Sequence, residues 1–320
     1  MKRVDVFNGD ADGLCALHQL RLVEPADAEL VTGPKRDTAL LERVTAEAGD
    51  AVVVLDISLD RNRGALVRLL DRGARVRWFD HHYAGAIPAH PLLEAHIDPA
   101  PDVCTSIIVD RHLGGRHRTW AVVAAFGDGL PDAARALADA LGLSAAQQAT
   151  LRALGEDLNY NAYGESEAEL AVPPVELFRT LRRHADPLAL AEREPVIAQL
   201  SARRGADLAA ALAVAPHRAG ARGDVYLLPD AQWSRRVMGT LANHLAERAP
   251  ARAHAVLVPV SGGGGYAVSI RAPRVAPTGA AALARAFPTG GGREAAAGID
   301  RLPSGELEVF VAAFERAFSA

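Results

Sequence analysis

Apolar residues in the first 80 positions fall into short runs, and the segments between the runs have helical spacing. Four runs rich in Val or Leu predict strands: residues 4–7, 28–33, 51–58 and 76–79. Three segments between them predict helices, two of which end in glycine: residues 14–23, 38–49 and 62–73. Alternating strands and helices predict an α/β fold with a parallel sheet covered by helices on both faces.

The pattern changes twice in the rest of the chain. Residues 131–215 are mostly helical in spacing, whereas strand-like runs return at 224–229, 254–260 and 266–273. A length of 320 residues is too long for one ordinary core and fits two domains. We therefore predict three segments: a parallel-sheet N-terminal domain over 1–185, a helical linker over 186–222, and a smaller α/β C-terminal domain over 223–320.

Composition indicates a globular protein and limits where a polyanion could bind. The chain is 49% hydrophobic and 23% charged, which is typical of a globular protein in water. A net charge of -4 gives no overall electrostatic footprint for nucleic acid, so any site for a polyanion must be local. Only Lys2 and Lys35 among the 35 Lys and Arg residues are lysines, which we attribute to coding bias.

Cysteine content and hydropathy indicate the compartment. The two cysteines, Cys15 and Cys104, lie in different motifs and exclude a disulfide framework. No apolar run reaches the roughly 18 residues of a membrane span, and the first ten residues enter a strand-like run without a long apolar h-region. We expect a cytoplasmic protein.

Acidic side chains follow three predicted strands where each strand ends. The strands run into Asn8-Gly9-Asp10-Ala11-Asp12, into Asp56, and into Asp80-His81-His82. One acid at such a place is typical of a turn or a helix cap. Several carboxylates at the same edge of a parallel sheet would repel strongly without a cation. Asp oxygen with His nitrogen suits manganese, with iron, cobalt or zinc as alternatives.

Five segments together resemble a known superfamily. NGDADGLCA, VVLDIS and WFDHH resemble successive motifs of the DHH phosphoesterases, named after the Asp-His-His triplet, and VVAAFGDG resembles a fourth motif with Asp128 as its acid. VSIRAP and TGGGREAAAG resemble the DHH-associated C-terminal domain. The superfamily includes RecJ-type exonucleases, oligoribonucleases, cyclic-dinucleotide phosphodiesterases, and manganese pyrophosphatases and exopolyphosphatases.

The resemblance implies a role for each matching residue. Five residues would hold two divalent ions: Asp10, Asp12, Asp56, His81 and Asp128. Asp56 would bridge the ions, Asp10 would belong to the first, and the others would belong to the second. Asp80 would orient an imidazole by a hydrogen bond, and His82 would face the substrate phosphate. Two adjacent ions would activate water for in-line attack on phosphorus.

Two positions depart from the family pattern at the first ion. Phosphatase-like members have a further His ligand where this chain has Val6, and exonuclease-like members have an Asp where it has Asn8. Asn8 offers only a neutral amide oxygen, so we assign it a weak metal or substrate contact.

The glycine-rich segment near the C-terminus predicts an anion site. Three glycines precede a helix-forming stretch, so their amides would face an anion at a helix start. Arg293 replaces the family's His and would bind a terminal phosphate with paired donors. A tight turn with close packing is the alternative. The substrate-binding candidates are Ser269, Arg271, Gly290, Gly291, Gly292 and Arg293.

We predict a manganese-dependent phosphodiesterase that hydrolyses short oligonucleotides or linear dinucleotides with two divalent ions. It would be a nucleic-acid-binding hydrolase of exonuclease type; neither a membrane nor long duplex DNA is expected as a partner, and a homodimer is left open. A phosphoanhydride hydrolase acting on pyrophosphate or polyphosphate is one alternative, favoured by an aromatic content of 5% and disfavoured by Val6. A catalytically weak metal- and nucleotide-binding protein is the other, because of Asn8.

Overall fold

The computed structural model describes residues 1–318, which form two compact units, one over 1–202 and the other from 203 onward. Each unit contains one sheet with helices, and the predicted α/β class is confirmed. The segment 186–222, predicted as a linker, is divided between the units at residue 202.

The first unit contains a five-stranded sheet in the order β2-β1-β3-β4-β5, with every pair parallel. Its strands are β1 (Arg3–Asn8), β2 (Glu29–Gly33), β3 (Ala51–Leu55), β4 (Arg75–Asp80) and β5 (Leu93–Ile97). All five strands therefore have their carboxyl ends at one edge. Strand β5 was not predicted, because it is a short edge strand without a fully buried residue.

Alternate residues of the strands divide the core of the first unit into two clusters. Val53 and Leu55 of β3 pack in one cluster, and Val52 and Val54 pack in the other. This period of two places apolar side chains on both faces of the sheet, which is why helices must cover both.

Nine helices begin in the first unit within the described residues. They are α1 (Ala11–Val23), α2 (Leu59–Asp71), α3 (Thr105–His112), α4 (Arg118–Gly127), α5 (Pro131–Ala140), α6 (Ala145–Asn161), α7 (Pro174–Leu181), α8 (Pro187–Arg193) and α9 (Pro195–Leu212). A short 3₁₀ helix also spans Glu167–Glu169. No helix within residues 1–318 combines the length and the apolar character that a membrane crossing needs.

The helix predicted over 38–49 is wrong. Only a 3₁₀ turn over Leu40–Arg43 forms, and Val44 after it is extended. Two β-branched residues, Val44 and Thr45, follow the turn and disfavour a continued helix. The apolar spacing reflects the burial of Leu40 and Leu41.

The second unit contains a six-stranded sheet in the order β10-β11-β9-β8-β7-β6, in which only β7 and β8 pair in parallel. Its strands are β6 (Arg218–Ala219), β7 (Gly223–Leu227), β8 (Ala253–Pro259), β9 (Gly265–Arg271), β10 (Gly290–Gly292) and β11 (Ala296–Pro303). Its helices are α10 (Gln232–Arg248), α11 (Ala280–Arg285) and α12 (Leu307–Ala317), with a 3₁₀ turn over Ser304–Glu306.

The helix predicted to begin after the three glycines is also wrong. Residues 290–303 form an antiparallel hairpin, β10 with β11. Arg293 and Ala296 close its turn with two backbone hydrogen bonds of 2.8 and 3.2 Å. Ala297 and Ile299 are buried with the half-buried Gly298 between them, and pairing with β9 makes this segment a strand despite the helix propensity of alanine. A Cβ on Gly290 would lie 1.8 Å from the Ala284 carbonyl oxygen, which indicates close packing on α11.

Candidate metal centre

The predicted metal ligands meet at the carboxyl edge of the first sheet. Asp10 caps α1 directly after β1, Asp12 lies in the first turn of α1, Asp56 follows β3, His81 follows β4, and Asp128 follows α4. The strand order brings the first four together, because β1, β3 and β4 are adjacent.

Backbone amides hold the two carboxylates of the Asp-x-Asp pair. Asp10 Oδ1 accepts hydrogen bonds from the N–H groups of Asp12 at 3.0 Å and Gly13 at 3.1 Å. The two oxygens of Asp12 accept from the N–H groups of Thr105 and Ser106 at the start of α3, both at 2.7 Å. Both carboxylates are buried, and their orientation is set by the chain itself.

Asp56 has an uncommon backbone conformation, with φ of 60°. Asp and Asn adopt this left-handed region more readily than most non-glycine residues. Its N–H donates to the Phe79 carbonyl at 3.0 Å, and its Oδ1 accepts from the Thr105 hydroxyl at 3.1 Å. Such strained positions concentrate at functional sites.

His81 presents one ring nitrogen to three carboxylates. Its Nδ1 lies 3.1 Å from the Val103 carbonyl oxygen, so a neutral ring donates there and leaves Nε2 as a lone-pair donor. The distances from Nε2 are 3.4 Å to Asp56 Oδ1, 3.9 Å to Asp128 Oδ2 and 4.0 Å to Asp12 Oδ2. We refer to Asp12, Asp56, His81 and Asp128 as the ligand cluster.

Electrostatics in the ligand cluster favour a bound cation. Burial raises the pKa of Asp56 well above its ordinary value, and the Asp10 and Asp12 charges raise it further. Burial alone would lower the pKa of His81, but its hydrogen bond to Asp56 and the charges of Asp128, Asp56 and Asp12 raise it to about 10. The cluster therefore retains protons where it binds no cation, and a divalent ion would displace them. Three carboxylates with one imidazole fit such an ion.

Asp80 and His82 form a second pair beside the cluster. Asp80 is completely buried, and its Oδ1 lies 2.6 Å from His82 Nδ1. The other Asp80 oxygen accepts no side-chain or backbone hydrogen bond within residues 1–318. The His82 side chain is 44% exposed, so a ring oriented by Asp80 can present Nε2 to a ligand.

Lys35, which the sequence analysis did not place in the site, lies among these acids. It follows β2, and its Nζ is 2.5 Å from Asp10 Oδ2, 3.4 Å from Asp128 Oδ1 and 3.2 Å from Asn159 Oδ1. Burial alone would raise the pKa of Asp10, but the Lys35 charge and hydrogen bond outweigh it and hold that pKa below its ordinary value. The available signal was a lysine directly after a strand in a chain that otherwise uses arginine.

The two positions that depart from the family pattern differ in character. Val6 is completely buried in the core of the sheet and offers no ligand. Asn8 ends β1, and its buried Oδ1 accepts no hydrogen bond from any residue within 1–318. A buried oxygen of this kind requires a partner outside the protein, such as water or a ligand.

Two glycines allow the helices behind the site to approach closely. A Cβ on Gly127 would lie 2.4 Å from the Cβ of Ala11, and one on Gly155 would lie 2.2 Å from the Val123 carbonyl oxygen. Helices α4 and α6 therefore lie against each other and against the start of α1. This contact brings Asp128, the residue after Gly127, to the start of α1.

The candidates in the second unit lie on its sheet. Arg271 Nη1 is 3.0 Å from the Ser269 hydroxyl on the same strand, and its Nε donates to Asn243 Oδ1 at 2.8 Å. Gly290–Gly292 form the edge strand β10, and Arg293 is exposed at the turn that follows.

Comparisons with known proteins establish the fold. No family model matches the chain, and no curated protein matches it significantly. It is similar to exonuclease RecJ bound to manganese, with TM-score 0.61, 21% identity and coverage of 99% of this chain and 90% of that one. It is also similar to RecJ in complex with Mn²⁺ from Thermus thermophilus, with TM-score 0.64 and 20% identity. That match covers 99% of this chain but 52% of the other, about half its length. The pGpG-specific phosphodiesterase PggH from Vibrio cholerae matches with TM-score 0.60 and 14% identity, over 100% of this chain and 99% of that one. The chain therefore has a RecJ-like fold.

Proposed function

We propose that the protein is a divalent-metal-dependent phosphodiesterase that hydrolyses short oligonucleotides or linear dinucleotides, with manganese as its ion. The observation that carries the proposal is the ligand cluster, in which the buried carboxylates of Asp12 and Asp56 and the partly exposed carboxylate of Asp128 surround a histidine nitrogen at the carboxyl edge of a parallel sheet. The similarity of fold to manganese-bound RecJ and to a pGpG-specific phosphodiesterase supports phosphoester chemistry.

A divalent ion in the ligand cluster would supply a Lewis acid that activates water and stabilises charge on the phosphoryl group. The chain itself fixes the donors before any ion binds, since two amides of α3 hold both oxygens of Asp12. Such preorganisation reduces the reorganisation needed during the reaction.

His82 is the residue we assign to the substrate. A ring that donates from Nδ1 to Asp80, when protonated, also donates from Nε2, which would bind a phosphoryl oxygen or pass a proton to the leaving oxygen. The buried Asp80 carboxylate holds the ring in place through this contact.

Short substrates are favoured by charge. A net charge of -4 provides little attraction for a long polyanion, whose binding depends on many phosphate contacts. We extend the proposal to the second unit, where Ser269, Arg271 and the exposed Arg293 would contact the phosphates of the substrate. At the outer edge of β10 the Gly290 N–H already donates to the Phe287 carbonyl at 3.1 Å, so Gly292 would contribute the backbone amide.

A substrate panel tests the proposal. Linear dinucleotides, oligonucleotides of three to five residues, cyclic dinucleotides, pyrophosphate and polyphosphate are assayed with Mn²⁺, with Mg²⁺ and with EDTA. We expect turnover of the linear dinucleotides and short oligonucleotides only with a divalent ion, and the highest rate with Mn²⁺. Preference for pyrophosphate or polyphosphate would instead indicate a phosphoanhydride hydrolase. Metal binding without turnover of any substrate would contradict an enzymatic role.

A further inference from the structure

We propose that the ammonium group of Lys35 takes the place of the first divalent ion, so that the site works with one divalent ion per chain. The proposal rests on the proposed function, because it assumes that the ligand cluster binds a metal. It replaces the two-ion arrangement that the family resemblance implies.

The carboxylate that would hold the first ion is already bound by the chain. Asp10 Oδ1 accepts two backbone hydrogen bonds, from Asp12 and Gly13. Its other oxygen lies 2.5 Å from Lys35 Nζ. Both oxygens therefore have donors from the protein, and an incoming ion would have to displace the ammonium group.

The surroundings of Lys35 Nζ match an ammonium group. Three oxygens lie within hydrogen-bonding or ion-pairing distance, from Asp10 at 2.5 Å, Asn159 at 3.2 Å and Asp128 at 3.4 Å. An ammonium group has three N–H donors, one for each oxygen. The Tyr163 ring centroid lies 5.9 Å from the same nitrogen and favours a cation there. The side chain is only 26% exposed, so its charge is compensated by these groups.

The formal charge at the place where the first divalent ion would bind supports the same conclusion. In the exonuclease-like pattern, a divalent ion with an aspartate at the position of Asn8 sums to one positive charge. In this chain, the Lys35 ammonium with the neutral Asn8 also sums to one positive charge. The two residues therefore compensate for each other, and the charge presented to a phosphate is preserved.

The backbone around Lys35 is fixed at both ends of a short segment. Gly33 ends β2, and the ring of Pro34 fixes the φ angle of that residue. The Lys35 N–H donates to the Ala162 carbonyl at 3.0 Å, directly after α6. Lysine also suits the role better than the arginine found elsewhere in the chain, because its compact point charge resembles an ion, whereas guanidinium is a planar fork.

Metal stoichiometry tests the proposal directly. The full chain is loaded with Mn²⁺, separated from excess metal by gel filtration, and analysed by elemental mass spectrometry and electron paramagnetic resonance. We expect one Mn²⁺ per chain, with the spectrum of an isolated ion. The double variant Asn8→Asp/Lys35→Ala restores a carboxylate and removes the ammonium group, and we expect it to bind two exchange-coupled ions. Lys2→Ala alters the only other lysine and should bind one.

The outcomes separate the two proposals. Two ions in the unaltered protein would overturn the role of Lys35 and leave the phosphodiesterase proposal in place, whereas no bound Mn²⁺ would overturn both. One ion in both the unaltered protein and the folded double variant would overturn the assignment to Lys35. If circular dichroism shows that the double variant is unfolded, Lys35→Met decides: we expect one retained Mn²⁺ and a kcat lowered on the order of 100-fold. An unchanged kcat in Lys35→Met would overturn the proposal.

Discussion

Asp12 accepts hydrogen bonds at both carboxylate oxygens from the first turn of α3, and Asp10 is the cap of α1. Helix starts therefore supply positive ends of backbone dipoles to both acids of the Asp-x-Asp pair. This support allows buried carboxylates to stay close together, and it explains why the pair lies at a strand-to-helix junction.

Asp56→Asn removes the charge of the side chain and keeps its shape. Asn also tolerates the left-handed backbone conformation of Asp56. We expect kcat to fall on the order of 1000-fold through loss of a metal-binding charge. In EDTA the same change should raise Tm by about 2–4 °C, since relief of repulsion with Asp10 and Asp12 would be worth about 1 kcal/mol. With Mn²⁺ the order of the two Tm values should reverse. Activity close to that of the unaltered protein would remove Asp56 from the site.

His81→Ala and His82→Ala form a matched pair of adjacent substitutions. Loss of His81 should weaken Mn²⁺ binding at least about 10-fold, because its Nε2 faces three carboxylates. Loss of His82 should leave Mn²⁺ binding unchanged and lower kcat by about 100- to 10,000-fold, the usual range for a general acid or base. Calorimetric titration and steady-state kinetics on both variants check this. Equal metal loss in the two would reassign the roles.

The sequence predicted which acids come together, but it did not predict that the positive charge of Lys35 lies among them. Asp10, Asp12 and Asp56 follow strands, and adjacent parallel strands bring their carboxyl ends to one edge. Lys35 also follows a strand, but its partners Asp128 and Asn159 come from distant helices, and no local pattern indicates such contacts. Lysine scarcity was attributed to composition alone, so its one informative position was overlooked.

Helix α1 carries a buried histidine within its apolar face. His18 Nε2 donates to the His184 carbonyl at 2.8 Å, and the ring meets Trp120 edge-on at 4.5 Å. Burial lowers the pKa of His18 to about 4. The ordinary pKa of histidine is about 6.5, so the unfolded chain takes up this proton first.

Stability should therefore fall as the pH drops from about 6.5 towards 4, by roughly 2–3 kcal/mol from His18 alone. His18→Gln keeps a donor for His184 and has no such proton to bind. Urea unfolding at pH 7 and pH 4.5 should show a smaller acid loss in the variant by that amount. Equal losses would indicate that His18 titrates normally in the folded protein.

Elements were predicted best where periodicity was strong. Strands β1 to β4 have buried residues on both faces and were predicted. Strand β5 was missed, and the segment 38–49 was wrongly predicted to be a helix. The residues after Arg293 are good helix formers in isolation, yet pairing with β9 makes them a strand. Such pairing depends on residues 268–271, which lie 25 to 31 positions away and which a local window does not include.

Whole-molecule charge predicts how the protein responds to salt. Each phosphate neutralised on a single strand contributes a slope of about -0.7 in log affinity against log salt. A linear dinucleotide offers few phosphates, so we expect a slope between about -0.7 and -2 for 1/KM. Single strands of about 20 nucleotides should bind with no steeper slope and should be hydrolysed no faster. A slope beyond about -3 would indicate contacts along a long polyanion.

The near absence of lysine makes the site directly visible by magnetic resonance. Selective ¹⁵N labelling of lysine side chains places the isotope at only two residues, Lys2 and Lys35. Lys2 precedes β1 and Asn8 ends it, a separation of about 20 Å at roughly 3.3 Å per residue. Paramagnetic Mn²⁺ in the ligand cluster should broaden the Lys35 ammonium resonance beyond detection and spare that of Lys2, whereas diamagnetic Mg²⁺ should only shift it. One peak of a two-peak spectrum would thus report the occupancy of the site in solution.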